Sequence, residues 1–238
     1  MTLDFGVVWT YLPHLLKAAV LTVVITVASK FVGTTLGFAL ALGRTSSVGW
    51  LRWVVGAYVW IFRGTPMLLH LFFIYYAAPL IGLTLDALPA AIIAMSLSSM
   101  AYNCEIIRAG LAAVHHGQIE AARAVGMTYT RIVRRIVLPQ AVRIIIPPYM
   151  SNVITHTKNS SLASVITVPE LMLTAQMIYS STYRAIEILT ATGAIYLVLT
   201  SCLTWLQLYL ERVTAYEQRG LSPRRRRALG LEAEPITA

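Results

Sequence analysis

The sequence predicts an all-α fold, an integral membrane bundle of about five transmembrane helices. Of the 238 residues, 57% are hydrophobic and only 12% are charged, and the mean hydropathy is +0.68. A soluble domain of this size does not have such a composition, because too few polar residues remain to cover its surface. Five apolar stretches, each near the length of about 20 residues that a membrane helix needs, give the number of helices.

The predicted spans follow one another along the whole chain. They are residues 18–42, 67–83, 89–107, 137–157 and 185–210. The second apolar stretch begins near residue 53, but Arg-Gly-Thr-Pro at 63–66 interrupts it, so its first part is expected to lead in along the inner interface. Lys30 interrupts the first span, and we expect its side chain to face the bundle interior or to reach toward the membrane surface rather than to bind substrate.

The distribution of basic residues predicts the orientation of the bundle. Lys and Arg resist translocation far more strongly than Asp and Glu, so connections rich in them stay in the cytosol. The first connection, the third connection and the tail hold most of them: Arg44, Arg52, Arg108, Arg123, Arg131, Arg134, Arg135, Arg212, Arg219 and Arg224 to Arg227. We therefore expect the N-terminus outside and the C-terminus in the cytosol.

Three regions follow from this topology. Residues 1–17 are expected to be an external interfacial segment, with a short helix over 5–12 that ends at Pro13. Residues 18–212 form the transmembrane domain, and residues 213–238 form a basic cytosolic tail, expected to be disordered and to meet anionic membrane lipids. Within the domain, Thr167 to Glu170 is expected to form a capping box that opens a short apolar helix.

Composition and motifs exclude several classes of function. The net charge of +9 does not indicate a nucleic-acid partner, because the basic residues lie beside apolar runs, where they set topology. Cys104 and Cys202 lack metal-ligand spacing, as do His115 and His116, so no metal site is predicted. The phosphate-binding pattern Gly-x4-Gly-Lys-Ser/Thr is absent, as are the Gly-x-Ser-x-Gly and His-Glu-x-x-His patterns, so no enzyme activity is indicated.

A polar, helix-forming segment interrupts the apolar pattern between the third and fourth spans. It starts with Glu120, Ala121, Ala122 and Arg123, reaches Gly126, and continues to Ile-Val-Leu-Pro at 136–139. The residues before Gly126 are strong helix formers, and the glycine is expected to end the helix in a left-handed conformation. The proline at 139 suits the first turn of the next span.

This segment resembles the Glu-Ala-Ala signature loop in the membrane subunits of bacterial ABC importers. The resemblance implies that residues 111–136 form a cytosolic coupling loop that a separate ATPase subunit grips, with Glu120 and Arg123 on the docking face. One alternative stays open, in which the segment is an ordinary solvated connection and Glu120 and Arg123 form only an i, i+3 surface pair.

Three further blocks, at 63–66, 101–110 and 158–162, are similar to the polar amino acid permeases of the histidine and glutamine type. The resemblance implies the transmembrane domain of a type I ABC importer in the bacterial inner membrane, with segment 1–17 on the periplasmic side. It also implies three partners: a dimer of ATPase subunits that uses the ATP, a second permease subunit that is the same or a homologous chain, and a periplasmic solute-binding protein. The chain itself then binds no cofactor.

One stripe of the fourth span is polar. Asn152, His156 and Asn159 stand at i, i+4 and i+7, next to Thr155, so they share a helix face. Because polar side chains are costly in hydrocarbon, this stripe is either part of a substrate path or a hydrogen-bonded contact between helices. The candidate substrate path is completed by Asn103, Glu105, Ser160 and Ser161. Glu105 is alternatively an ion-pair partner of Arg108.

Charge along this path favours a neutral or acidic polar amino acid over a basic one. A cationic side chain in a membrane pocket needs a carboxylate beside it, whereas the stripe offers Asn152 and Asn159 with Lys158 nearby. Two alternatives stay open. One is an importer permease for basic amino acids or opines. The other is a self-sufficient secondary amino acid transporter, which predicts internal repeats and mid-membrane carboxylates that the sequence does not convincingly show.

Overall fold

The computed structural model describes residues 4–214, and this range contains only helices and their connections. In chain order the helices are α1 (Gly6–Arg44), α2 (Gly49–Gly64), α3 (Met67–Phe72), α4 (Ala87–Ala112), α5 (His116–Ala124), α6 (Tyr129–Ile132), α7 (Leu138–Asn159), α8 (Leu171–Thr182) and α9 (Ala185–Thr214). Short segments of other helix types extend some of them. Phe73–Ala77 after α3 and Val133–Val137 between α6 and α7 are π-helical, and Ala78–Ile81 after α3 and Ser160–Ile166 after α7 are 3₁₀-helical.

Three of the described helices, α1, α4 and α9, are long and apolar enough to cross a membrane alone. Two bent pairs also qualify: Gly49–Gly64 with Met67–Ile81, bent by 106°, and Tyr129–Ile166 with Leu171–Thr182, bent by 53°. The predicted all-α membrane bundle is confirmed, and the number of five spans holds when each bent pair counts as one crossing. The predicted basic tail lies almost entirely outside the described residues.

The first helix begins earlier than expected. The prediction of a separate interfacial helix over residues 5–12 is wrong, because this segment forms the first turns of α1, which continues through Pro13. Val7 and Tyr11 pack against a buried apolar cluster built by α1, α8 and α9. Burial of these side chains outweighs the single backbone hydrogen bond that a proline removes from a helix.

α1 and α4 pack closely because two glycines of α1 face α4. A Cβ atom at Gly33 would lie 2.5 Å from Ser99 Cβ, and one at Gly37 would lie 2.9 Å from the carbonyl oxygen of Met100. Small residues at such positions let helix backbones approach within a membrane. The close approach brings polar side chains of α1 within hydrogen-bond distance of α4, where Asn103 is fully buried.

The break between α2 and α3 turns the chain back into the bundle. Thr65 and Pro66 are extended, with ψ of 149° and 142°, as expected for a residue before proline and for a proline that precedes a helix. α2 buries Val55 and Val59 while its tryptophans are exposed. The break itself points inward, and both of its residues line a cavity that α4 and α7 complete.

The start of α8 differs from the predicted capping box. Thr167 has a left-handed backbone conformation with φ of 67°, and Glu170 is itself the N-cap. The Glu170 carboxylate accepts hydrogen bonds from the backbone N–H groups of Met172 at 2.8 Å and Leu173 at 3.0 Å. It also accepts one from the Tyr196 hydroxyl at 2.9 Å. The buried Glu170 side chain therefore provides an acceptor for two backbone N–H groups of the first turn of α8, which have no partner within the helix.

Candidate functional site

A cavity of about 230 Å³ lies inside the bundle where the α2–α3 break meets α4 and α7. Eight of its ten lining residues have a polar side chain, but none is acidic or basic other than a histidine. It consists of Thr65, Pro66, Met67, Ser98, Ser99, Tyr102, Asn152, Thr155, His156 and Asn159. Such a volume with several hydroxyl and amide groups suits a small polar molecule.

The polar stripe predicted on the fourth span forms one wall of this cavity. Asn152, Thr155, His156 and Asn159 all lie on α7 and all line the cavity, because residues at i, i+3, i+4 and i+7 project from one side of a helix. The His156 Nε2 atom is also 2.8 Å from Ser29 Oγ of α1. The stripe thus faces the cavity and also joins α7 to α1 by a hydrogen bond.

The other four residues of the candidate substrate path lie away from the cavity lining. Asn103 is fully buried behind Ser99, to whose Oγ its Nδ2 donates at 3.2 Å. The hydroxyl groups of Ser160 and Ser161 donate to carbonyl oxygens one turn earlier, at 2.7 Å and 2.8 Å. Those two serines therefore hydrogen-bond to their own helical segment.

Glu105 forms ion pairs instead of lining the cavity. Its carboxylate accepts from Arg108 Nε at 3.0 Å and from Arg108 Nη2 at 2.8 Å, and Arg44 Nε lies 3.8 Å away. The structure thus favours the alternative reading of Glu105 as a partner of Arg108. The cluster ties the ends of α1 and α4 together.

The spacing of the polar stripe does not predict several other residues that line the cavity. Ser98, Ser99 and Tyr102 of α4 line the cavity opposite the stripe. A run of small polar residues inside an apolar span is a signal that would have indicated them, because each needs a polar surrounding. Sequence similarity singles out Thr65 and Pro66 only as part of the block at 63–66. Their inward position depends on the 106° bend between α2 and α3.

Lys30 lies directly behind the cavity wall. Only 5% of its surface is exposed, which agrees with the expectation of an interior position. Its Nζ donates to the side-chain oxygens of Asn152, which lines the cavity, and of Asn103, at 3.4 Å. It also lies 5.3 Å from the centroid of the Tyr149 ring, a distance at which an ammonium group is attracted to an aromatic face.

The predicted coupling loop contains α5, and the helix ends as expected at Gly126, whose φ is 77°. The N–H of Met127 donates to the carbonyl of Ala122 at 3.0 Å, and the N–H of Gly126 to that of Arg123 at 2.9 Å. This pair of bonds is the Schellman termination. Ala122 is buried.

The surface around the end of α5 is exposed. The predicted docking residues Glu120, Ala121 and Arg123 lie on it. Beside them, Val125 is 78% and Tyr129 72% exposed. Charged and large apolar side chains are therefore exposed on α5 and on the start of α6, which follows it in the chain.

No group of three or more His, Cys, Asp or Glu side chains suited to a metal ion occurs among residues 4–214. His115 instead caps α5, since its Nδ1 accepts from the N–H of Gly117 at 3.1 Å. Free Cys104 is buried and free Cys202 is exposed.

Known proteins resemble this chain over most of its length. The family model described as binding-protein-dependent transport system inner membrane component matches residues 33–216. The arginine transport system permease protein ArtQ of Bacillus subtilis (strain 168) is 38% identical over 213 residues, which cover 89% of this chain and 97% of that protein. The octopine transport system permease protein OccM of Rhizobium radiobacter is 38% identical over 228 residues, covering 92% and 93%. The glutamine transport system permease protein GlnP of Escherichia coli (strain K12) is 33% identical over 215 residues, covering 89% and 98%.

Solved structures agree with these relatives. The crystal structure of an amino acid ABC transporter with histidines has a TM-score of 0.84 at 36% identity, covering 89% of this chain and 99% of that chain. An inward-facing form of the MetNI methionine ABC transporter has a TM-score of 0.67 at 22% identity, again covering 89% and 99%. The second likeness is one of fold alone.

Proposed function

We propose that this chain, which belongs to the binding-protein-dependent transport system inner membrane component family, passes a neutral or acidic polar amino acid through the cavity beside α4 and α7. The chain is the permease subunit of an amino acid ABC importer, a membrane component and not itself an enzyme. The observation that carries the substrate proposal is the cavity lining of hydroxyl and amide groups without a carboxylate. A cationic side chain there would lack a counter-ion.

In this proposal the energy comes from a dimer of ATPase subunits that use ATP and dock on α5. The exposed Glu120, Arg123, Val125 and Tyr129 support this, because an apolar patch with charged neighbours is typical of a protein-binding surface. Docking residues of this kind also fit a loop that lies in the cytosol, with the N-terminus outside and the C-terminus inside.

A mechanical connection from α5 to the cavity supports the same proposal. The side chain of Gln140 in α7 donates to that of Gln118 in α5. From Tyr129 to Ile166 the chain is one helical segment, and it carries the polar stripe. A movement of α5 on ATPase closure then displaces the cavity wall, so that access alternates between the two membrane sides.

A second permease subunit and a periplasmic solute-binding protein complete the proposed importer. Tyr102 and Thr155 line the cavity and are also exposed, so the cavity is open on one side. A second copy, or a homologous chain, would close it. The solute-binding protein would deliver the amino acid from the periplasmic side.

A second candidate function is import of a basic amino acid or an opine. The observation in its favour is that similar relatives include an arginine permease and an octopine permease. Both candidates predict the same partners and differ in the charge of the substrate, so one uptake experiment separates them.

The test is uptake into liposomes that contain the permease copurified with its ATPase, with the solute-binding protein supplied outside and ATP enclosed inside. We expect ATP-dependent accumulation of labelled L-glutamine or L-glutamate to exceed that of L-arginine. Dominant accumulation of L-arginine would establish the second candidate instead. Accumulation that proceeds equally without ATP would contradict the coupling proposal.

Glu120→Arg tests the docking surface. We expect recovery of the ATPase on purification to drop by about tenfold, because the reversed charge faces groups selected for a carboxylate. Asp86→Arg, an equal charge reversal on an exposed residue before α4, is the control and should leave recovery unchanged. Equal recovery with both variants would refute docking at α5.

A further inference from the structure

The amino group of Lys30 is a buried basic group next to the cavity. It reaches from α1 between α4 and α7, and its polar contacts among residues 4–214 are the amide oxygens of Asn103 and Asn152 and the ring of Tyr149. These neutral groups orient the amino group but provide no counter-ion.

No ion pair of Lys30 occurs within residues 4–214. The carboxylates of Glu105, Glu170 and Glu187 are bound by other donors. An uncompensated charge inside a membrane bundle is costly, and it is retained where a ligand or a pathway uses it. In its protonated form, Lys30 therefore exerts a positive potential on whatever occupies the neighbouring space.

Asn152 transmits this charge to the cavity. Its side-chain oxygen accepts from Lys30, so its amide NH₂ is the polar group left for the cavity that it lines. An N–H donor backed by a positive charge favours an anion as its acceptor. Behind the same wall, Asn103 donates to Ser99 at 3.2 Å and to Thr34 at 3.0 Å, which holds its oxygen toward Lys30.

We propose that Lys30 is the specificity-determining residue of the cavity, which attracts the carboxylates of neutral and acidic amino acids and disfavours amino acids with a cationic side chain. This inference rests on the proposed function, since it requires that the cavity binds an amino acid. Lys30 acts through Asn152 and through its field.

The test measures equilibrium binding of labelled L-glutamate, L-glutamine and L-arginine to the purified permease–ATPase complex in lipid nanodiscs, without a solute-binding protein. Lys30→Gln removes the charge and keeps a hydrogen-bond donor. We expect the ratio of arginine to glutamine affinity to rise about tenfold, the factor for a difference of one unit charge acting across about 10 Å at an effective dielectric constant of about 20. Lys30→Arg retains the charge and should keep the wild-type ratio.

Two further variants keep the proposal testable if Lys30→Gln assembles poorly. Asn152→Asp leaves Lys30 in place and adds a compensating carboxylate, so the affinity ratio should rise by a similar factor. The double variant Lys30→Gln/Asn152→Asp should have a higher ratio than either single variant. Lys17→Gln removes a lysine exposed on the same helix and should change nothing.

The outcomes separate the two proposals. If no labelled amino acid binds the wild-type complex, the proposed function fails and the inference fails with it. If the wild type binds amino acids but the ratio stays within about twofold in Lys30→Gln and in Asn152→Asp, only the role of Lys30 is refuted. A purely structural role would lower binding of all three amino acids equally, which also refutes it.

Discussion

Gly33 shows how one residue sets the distance between two helices. Its missing side chain leaves room for Ser99, and a Cβ atom there would lie 2.5 Å from Ser99 Cβ and 2.7 Å from Ser99 Oγ. The same approach positions Lys30 and Asn103 for their hydrogen bond. Packing of glycine against serine therefore also determines the polar wall of the cavity.

Gly33→Ala should lower the stability of the purified complex. The added methyl group forces α1 and α4 apart, which costs about 1 to 3 kcal/mol and appears as a lower midpoint of thermal unfolding in detergent. Gly193→Ala is the control, because nothing lies within 4 Å of a Cβ atom at that position of α9. A similar midpoint for both variants would contradict the close α1–α4 contact.

Glu170 is a second residue that connects helices, a role that its sequence context does not predict. It is fully buried, and its carboxylate joins α8 to α1 through Thr22 at 3.3 Å and to α9 through Tyr196 at 2.9 Å. A single side chain thus holds three helices at one end of the bundle.

Glu170→Ala should destabilise the complex by about 2 to 4 kcal/mol, because buried N–H and hydroxyl donors lose their acceptor. The matched control is Asp86→Ala, which alters an exposed acidic N-cap that makes no capping hydrogen bond. Thermal unfolding followed by tryptophan fluorescence measures both. Equal unfolding midpoints would show that the Glu170 bonds contribute nothing.

At the level of elements, the termination of α5 determines the shape of the proposed docking surface. Gly126 adopts a left-handed conformation without any neighbour within 4 Å of its missing side chain. The requirement at this position is therefore conformational and not steric. The turn directs the chain from α5 into α6.

Gly126→Ala should cost about 1 kcal/mol, because a non-glycine residue is strained in the left-handed region. The expected result is a reduced yield of ATPase on copurification, with Gly126→Asn less affected, since asparagine tolerates this conformation better than alanine. Gly49→Ala at the start of α2, where no positive φ is required, provides the comparison. The prediction fails if alanine at 126 retains as much ATPase as asparagine.

For the whole molecule, an odd number of crossings places the two termini on opposite sides. Five crossings result when each bent pair is one span. The basic first and third connections predict that these connections face the cytosol. In this proposed orientation α5 would lie where an ATPase could reach it.

Accessible cysteines test the orientation. In a background with Cys104→Ala and Cys202→Ser, we expect Asp86→Cys to react with a membrane-impermeant maleimide in spheroplasts. Thr130→Cys, which is also exposed and lies within the predicted coupling loop, should react only after permeabilisation. The reverse pattern would place the N-terminus in the cytosol.

Local patterns in the chain are sufficient to predict the helical class, the approximate bounds of the spans, the end of α5 at Gly126 and the polar face of α7. Each depends on spacing or on the preference of one residue for one backbone conformation, so sequence alone determined them. Helical periodicity, in the same way, is enough to group Asn152, His156 and Asn159.

Only the tertiary structure decided which faces meet. It continued α1 through Pro13, made Glu170 the cap of α8, paired Glu105 with Arg108, and brought Lys30 to Asn152 from a helix 122 residues away in the chain. The physical reason is that burial and hydrogen bonding between distant segments depend on the bends and close approaches of the helices. No local preference contains that information.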